Sequence, residues 1–465
     1  MDNIKKRIKS YLQNHRQDMA ETLSSLLRMP TLPQEPSKDA PYGIAIKNCL
    51  DAVLQDCAQR GFQTGNLDGY VGWCEYGIGE EMIGVAGHLD VVPAGAGWTE
   101  TEPFSGEIKD DNIYGRGAID DKGPLVAVLY ALTALKESGF EPRRRIRLLF
   151  GTNEESGCGD MAYYRSHGGE LPVIGFTPDG EYPLINGEKG IINGTYTAPL
   201  QQEENQSIRL RKLSGGTAAN VCPDFAYAEV TGNGLDEIAA NINMPDMVIR
   251  PIENGIRLEA RGIAAHGSTP EKGKNAIGRL MMALAQFPLE GNLRRYIHFL
   301  AEKIGIETAG ASLGIAMRDE VSGALTFNLG KIDYKEDSDS IEYMFSTRYP
   351  VTKEPDTVYC LVKKVFDDNR FFAKDLFHEK PLYMPPESEL ARTLCRVYEE
   401  ETGEKAVPKC IGGGTYAKSL PNILAFGPIF PGDEVREHQP NEFIELERLV
   451  KNAEIYAAAL YELAK

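Results

Sequence analysis

The stretch "RIRLLFGTNEESG", residues 145–157, decides the fold, because an apolar run ends at Gly151 and two adjacent glutamates, Glu154 and Glu155, stand in the turn beyond it. A short, nearly continuous apolar run of this kind is the pattern of a strand buried on both faces of a parallel sheet. Just upstream, "KGPLVAVLYALTALKESGF" repeats Leu125, Val128, Leu129, Leu132 and Leu135 at helical spacing and stops at Gly139, which predicts a helix with a glycine at its C-terminal end. "MIGVAGHLDVVP" reads as an earlier strand ending at His88 and Asp90, and a short helix around "GDMAYYRSHGG" and a strand in "VIGFTPDG" follow the glutamates. Strand, helix, strand, helix, strand predicts an α/β domain with a mixed, mostly parallel sheet.

Outward from this core the texture changes. Residues 5–28 carry Ile8, Leu12, Met19, Leu23 and Leu26 near helical spacing and predict one amphipathic helix. Beyond residue 189, strand-like segments such as "GIINGTYTAPL", "FAYAEVTG" and "GIRLEARGIAAHG" alternate with helical patterns in "NAIGRLMMALAQFPL", "LRRYIHFLAEKIG" and "TVYCLVKKVFDDN". Residues 190–383 therefore read as an α+β domain inserted into the first, which spans 1–189 and resumes over 384–465. A chain of 465 residues requires such a division, since single cores stop growing at roughly 250–300 residues.

Charge and composition exclude several functions. Fifty basic against 68 acidic side chains leave a formal net charge of −18, which repels phosphate backbones and anionic bilayers, so neither nucleic acid nor membrane is an expected partner. The N-terminal stretch lacks the apolar core of a signal peptide, and no apolar run reaches the roughly 20 residues of a spanning helix. Eight scattered cysteines without a CxxC pair point to free, mostly buried thiols in a reducing, cytoplasmic setting.

Four stretches then place metal-competent side chains at or just past expected strand ends: "GHLDVVP" with His88 and Asp90, "GRGAIDDKG" with Asp120 and Asp121, "GTNEESG" with Glu154 and Glu155, and "TPDG" with Asp179. Taken singly, an H-x-D is as well a capped turn, and a DD or EE pair a solvated loop. Together they are harder to dismiss, because ligands in open α/β sheets bind beyond the carboxyl ends of the strands, where such loops converge. The glycine-rich "GGGTYAKS", residues 412–419, lacks the G-x-x-x-x-G-K-[ST] spacing of a phosphate loop. It suits a backbone nest for a carboxylate instead.

These motifs, with "GIAAHGSTPEKGKNA" and the C-terminal "EHQPNEFI", resemble the M20 family of metallopeptidases, in its branch of bacterial V-type dipeptidases, which includes Xaa-His and carnosinase-type enzymes. The resemblance covers nearly the whole chain. It implies a zinc-peptidase-like catalytic domain with an inserted α+β lid, and two divalent metal ions, zinc with manganese or cobalt as substitutes. Carried over by position, His88 and Asp179 would hold one ion, Glu155 and His438 the other, and Asp120 would bridge them. Asp90 would accept the second imidazole N–H of His88 and fix its tautomer, and the Asp120–Asp121 peptide would be cis. Glu154 would be the general base that moves the proton of metal-activated water.

In the middle block His266 and Asn220 would donate to the oxyanion, Arg348 would grip the substrate's C-terminal carboxylate, and Gly414 and Thr415 would add to that grip. Without the resemblance, His266 reads equally as a satisfied loop histidine, Arg348 as a structural ion pair and His438 as a surface residue. The resulting expectation is a cytoplasmic metallo-dipeptidase acting on unsubstituted dipeptides. An N-acyl-amino-acid amidohydrolase of the deacylase or desuccinylase type is the alternative on the same fold, and a non-catalytic binding protein is the remote one. The large middle block can supply His266 within one chain, so a monomer is expected ahead of a homodimer.

Overall fold

A computed structural model describes residues 2–201 and 206–465. The chain forms two compact units: one comprises everything through Asn186 together with Met384–Lys409 and Gly414–Lys465, and the other Gly187–Tyr383 together with Cys410–Gly413. Residues 410–413 therefore cluster with the inserted unit rather than with the returning segment that holds the residues on either side of them. The reason is local, since the Lys189 amide donates to the Ile411 carbonyl at 2.9 Å.

The first unit is built on a mixed sheet with strand order Gln63–Leu67, Val71–Tyr76, Arg145–Gly151, Met82–His88, Ile174–Thr177, Ile423–Ala425, Ile185–Glu188. The four central strands pair in parallel, and antiparallel strands flank them. All seven residues of Met82–His88 are buried, as are six of the seven in Arg145–Gly151, which is why neither shows the polar alternation of a one-sided strand. The helix Lys122–Glu137 is buried along nearly its whole length, packed by the helices Asp2–Asn14, Arg16–Leu27 and Leu446–Ala464.

One expectation fails at the N-terminus. The single helix predicted over 5–28 is two, Asp2–Asn14 and Arg16–Leu27. The break falls at His15, whose ring stacks on Tyr11 at 4.0 Å and whose Nδ1 donates to the Tyr11 carbonyl at 2.8 Å. A side chain competing for local backbone groups in this way bends or stops a helix. Of the cysteines, only half are buried (Cys49, Cys57, Cys74 and Cys222), and Cys360 is exposed.

The second unit carries an eight-stranded antiparallel sheet, in the order Met247–Ile252, Gly255–Arg261, Phe225–Gly232, Ile208–Gly216, Thr326–Lys335, Ser340–Tyr349, Gly190–Pro199, Phe372–Glu379. Alternating burial along Gly190–Pro199 and Phe225–Gly232 shows one face packed and the other not. Helices Ala276–Leu284, Gly291–Lys303 and Pro355–Asp368 contribute their apolar stripes to that core. Among the described residues no helix is long and apolar enough to cross a membrane.

Candidate metal centre

Strand register brings the acidic loops of the first unit to one edge. His88 ends its strand and pairs in register with Gly151, the last residue of the neighbouring strand, so the turn carrying Glu154 and Glu155 emerges beside the imidazole. Asp179 follows the parallel strand Ile174–Thr177 on the other side. Ligand atoms of His88, Glu154 and Asp179 all lie within 4.8 Å of one another, and so do those of His88, Asp120 and Glu155. His438 Nε2 lies 2.9 Å from Asp120 Oδ2 and 3.2 Å from Glu155 Oε2. The predicted metal residues are thus gathered in the first unit.

Local chemistry sets each side chain. His88 Nδ1 donates to the backbone carbonyl of Asp90 at 2.9 Å, which leaves Nε2 facing Asp120 Oδ1 at 2.9 Å and Asp179 Oδ2 at 3.8 Å. An imidazole fixed by one nitrogen presents the other as a ligand. The nearer acceptor is the Asp90 carbonyl, whereas the carboxylate expected for this task stands at 3.5 Å. The Asp90 carboxylate is otherwise engaged: Oδ1 accepts from the Glu154 amide at 3.1 Å and Oδ2 from the Glu155 amide at 3.2 Å.

A second buried aspartate continues the pattern. Asp160 Oδ2 accepts from the amides of Thr152 at 2.6 Å and Asn153 at 3.0 Å and from the Tyr416 hydroxyl. Four successive amides, 152 to 155, are therefore held by two carboxylates, each charged bond being worth about 1.5–3 kcal/mol net. Gly151 makes room for this, since a Cβ there would collide with Tyr416 Oη and crowd Asp160. Asp160 and Tyr416 were not anticipated from sequence, where Asp160 looks like an ordinary residue at a helix start. No spacing in the sequence signals its task, which depends on where the amides of residues 152 and 153 point after folding.

Asp121 Oδ2 accepts from the His88 amide at 3.1 Å, and the Asp120–Asp121 peptide is cis. A side chain at Gly87 would strike the Asp121 carboxylate, so glycine is required there. In the second unit, His266 pairs in register with Val221, and the Gly267 amide donates to the Asn220 carbonyl at 2.6 Å, which makes His266 and Asn220 neighbours. Arg348 pairs with Thr326, whose hydroxyl donates to the Ser268 carbonyl at 3.2 Å. Burial lowers the Arg348 guanidinium to about 10 against the partial support of Glu379. Gly414 and Thr415 fall in the first unit, where the buried Thr415 hydroxyl caps a short helix by accepting from the Ala417 amide at 3.1 Å.

The electrostatics test whether cations fit. Burial and then the charge of Asp179 hold Glu154 well above the usual carboxylate range. Burial and Asp120 raise Glu155. Burial opposes charge on both histidines, but hydrogen bonds to Asp120 and Asp90 raise His88 well above the imidazole value, and those to Asp120 and Glu155 raise His438 to about 11. Four carboxylates and two imidazoles thus converge where, among the described residues, the ion pairs of Asp120 and Glu155 are to histidines. Protons on those imidazoles balance charge that a divalent cation would balance better, and mixed nitrogen and oxygen donors suit zinc, manganese or cobalt. The residues fit the group.

Cation binding must displace protons that the raised ligand groups retain, His88, His438 and Glu155 among them, so one or more protons should be released and affinity should rise with pH. Calorimetric titration of chelator-treated protein in buffers of different ionisation enthalpy measures that number. Affinity independent of pH between 6 and about 8 would contradict it.

Comparison with known proteins shows the family. The profile of peptidase family M20/M25/M40 matches residues 84–462. The YtjP protein of Bacillus subtilis (strain 168) is 38% identical over 465 residues, covering 97% of this chain and 98% of its own. The Beta-Ala-Xaa dipeptidase of Lactobacillus delbrueckii subsp. lactis is 34% identical over 441 residues, 92% of each chain. In fold alone, the structure of the dipeptidase Dug1p from Saccharomyces cerevisiae is similar at a TM-score of 0.60 and 14% identity, across 100% of this chain and 99% of that one. With the profile spanning most of its length and these relatives nearly all of it, the chain belongs to peptidase family M20/M25/M40 and is a peptidase.

Proposed function

We propose that the chain is a dinuclear metal-dependent dipeptidase that cleaves unsubstituted dipeptides. The observation that carries this reading is the pair of ligand groups meeting at His88, one including Asp179 and Glu154 and the other Asp120 and Glu155, with His438 against the second. His88 and Asp179 would hold one cation, Glu155 and His438 the other, and Asp120 both. When bound, such cations supply Lewis acidity that polarises a carbonyl and acidifies water.

The chain's own residues do the rest. Glu154, held by its amide on Asp90, takes the proton of the attacking water and passes it to the departing amine, a role that suits a carboxyl whose proton affinity is raised by burial and by Asp179. His266 and Asn220 are the proposed oxyanion donors. Arg348, with a buried Nε that has no hydrogen-bond partner among the described residues, is the proposed grip for the free carboxylate, assisted by Gly414 and Thr415. The name of the Lactobacillus relative supports substrates with a free amine and includes β-alanyl peptides among those to test.

A panel of dipeptides, tripeptides and N-acylated amino acids, assayed with zinc, manganese and cobalt, tests the reading. Dipeptides should be preferred and chelator should abolish turnover. Faster cleavage of acylated amino acids would favour an amidohydrolase and overturn the dipeptidase assignment.

A further inference from the structure

We propose that Glu442 is a positioning residue for the bridging carboxylate Asp120, an inference that rests on the dinuclear reading above. Glu442 is fully buried, and its carboxylate is hydrogen-bonded to backbone amides and to Arg116. Its Oε1 accepts three backbone amides of the loop that carries Asp120: Gly117 at 3.1 Å, Ile119 at 2.9 Å and Asp120 itself at 3.3 Å. Its Oε2 accepts from Arg116 Nη1 at 2.5 Å.

The placement is a consequence of strand register. Phe443–Glu445 pairs antiparallel with Asn112–Tyr114, and the Gly115 amide donates to the Glu442 carbonyl at 2.9 Å. The pairing thus delivers Glu442 to the point where the chain leaves the strand and turns toward Asp120. Arg116 is buried as well; its Nη2 donates to the Ala94 carbonyl at 3.3 Å and its guanidinium lies 5.6 Å from the Trp98 ring centre. A charged pair so enclosed holds one geometry, because its donors and acceptors have no water to turn to.

The segment that supplies this carboxylate is the one that supplies His438. His438 and Glu442 both come from "EHQPNE", and both engage Asp120, one at its side chain and the other at its amide. A short stretch of the returning chain therefore aligns the histidine of one cation with the carboxylate shared by both. A backbone error at Asp120 would be felt at both cations, whereas the substrate's groups would be untouched.

The test compares wild type with Glu442→Gln and Glu442→Asp. Glutamine keeps the length but turns an N–H donor toward Arg116; aspartate keeps the charge but withdraws it from the amides by one methylene. After chelator treatment, cobalt is titrated by calorimetry and by its visible absorption, and melting temperature, kcat and KM are measured on each protein. The expected result is two cobalt ions on wild type, 10- to 100-fold weaker cobalt binding in Glu442→Gln, an altered absorption band and a lower kcat at unchanged KM. Partial recovery is expected in Glu442→Asp. A purely structural residue would lower the melting temperature and leave cobalt affinity and spectrum as in wild type, and that outcome overturns the proposal. If Glu442→Gln does not fold, Glu442→Asp decides by the same criteria. Wild type that binds no cobalt would overturn the dinuclear reading and this proposal together; wild type binding two, with variants identical to it, would overturn this proposal alone.

Discussion

Glu154→Gln is expected to lower kcat by about 10²–10⁴-fold while both cations stay bound. The side chain is isosteric, and its backbone amide keeps the bond to Asp90, so the turn should hold its shape. What is lost is a proton acceptor whose affinity is raised by burial and by Asp179, which is the tuning a general base requires near neutral pH. The geometry makes the test demanding, because Glu154 lies within ligand reach of His88 and Asp179. Metal content and steady-state kinetics must therefore be measured on the same preparation. If Glu154→Gln empties a cation position, or Glu155→Gln keeps both, the roles of the two glutamates have been divided wrongly.

That pair also shows how far sequence reasoning reached. The strand before Glu154 was legible because burial on both faces leaves a continuous apolar run, and the helix Lys122–Glu137 because its spacing and Gly139 mark its course and end. His88, Asp179 and the glutamates were legible as strand-end residues, since the parallel sheet brings strand ends together; Asp120 instead lies in the loop before the helix Lys122–Glu137, beyond a strand of a separate antiparallel sheet. Asp160 and Glu442 were not, although both are fully buried and each holds several amides. Their task depends on where backbone N–H groups point after folding, and no spacing rule reports that. Asp90 lies between these cases. Its position beside His88 was legible, but its carboxylate turns to the amides of the neighbouring loop while its carbonyl orients the imidazole. The break at His15 was hidden for a related reason, because the apolar spacing continues across it while a ring stacks on Tyr11.

Asp120→Ala should have the larger effect, removing both cations and reducing turnover below that of Glu154→Gln. Each oxygen of Asp120 meets a different imidazole, Oδ1 facing His88 Nε2 and Oδ2 facing His438 Nε2, both at 2.9 Å. Glu155, by contrast, is 3.2 Å from His438, so Glu155→Ala should weaken chiefly the cation assigned to His438. The two variants are distinguishable by stoichiometry: Asp120→Ala near zero cations, Glu155→Ala near one. A second readout needs no cation. The pKa of His88 is high because hydrogen bonds to Asp120 and Asp90 overcome burial; with Asp120 gone, burial gains and the imidazole should lose its proton at lower pH. An NMR titration of the chelator-treated variant should therefore show His88 shifted downward from wild type, with Asp90 still in place to orient the ring. Retention of one cation at wild-type affinity in Asp120→Ala would show that this carboxylate serves a single site, and an unmoved His88 would show that its pairing with Asp120 does not govern its charge.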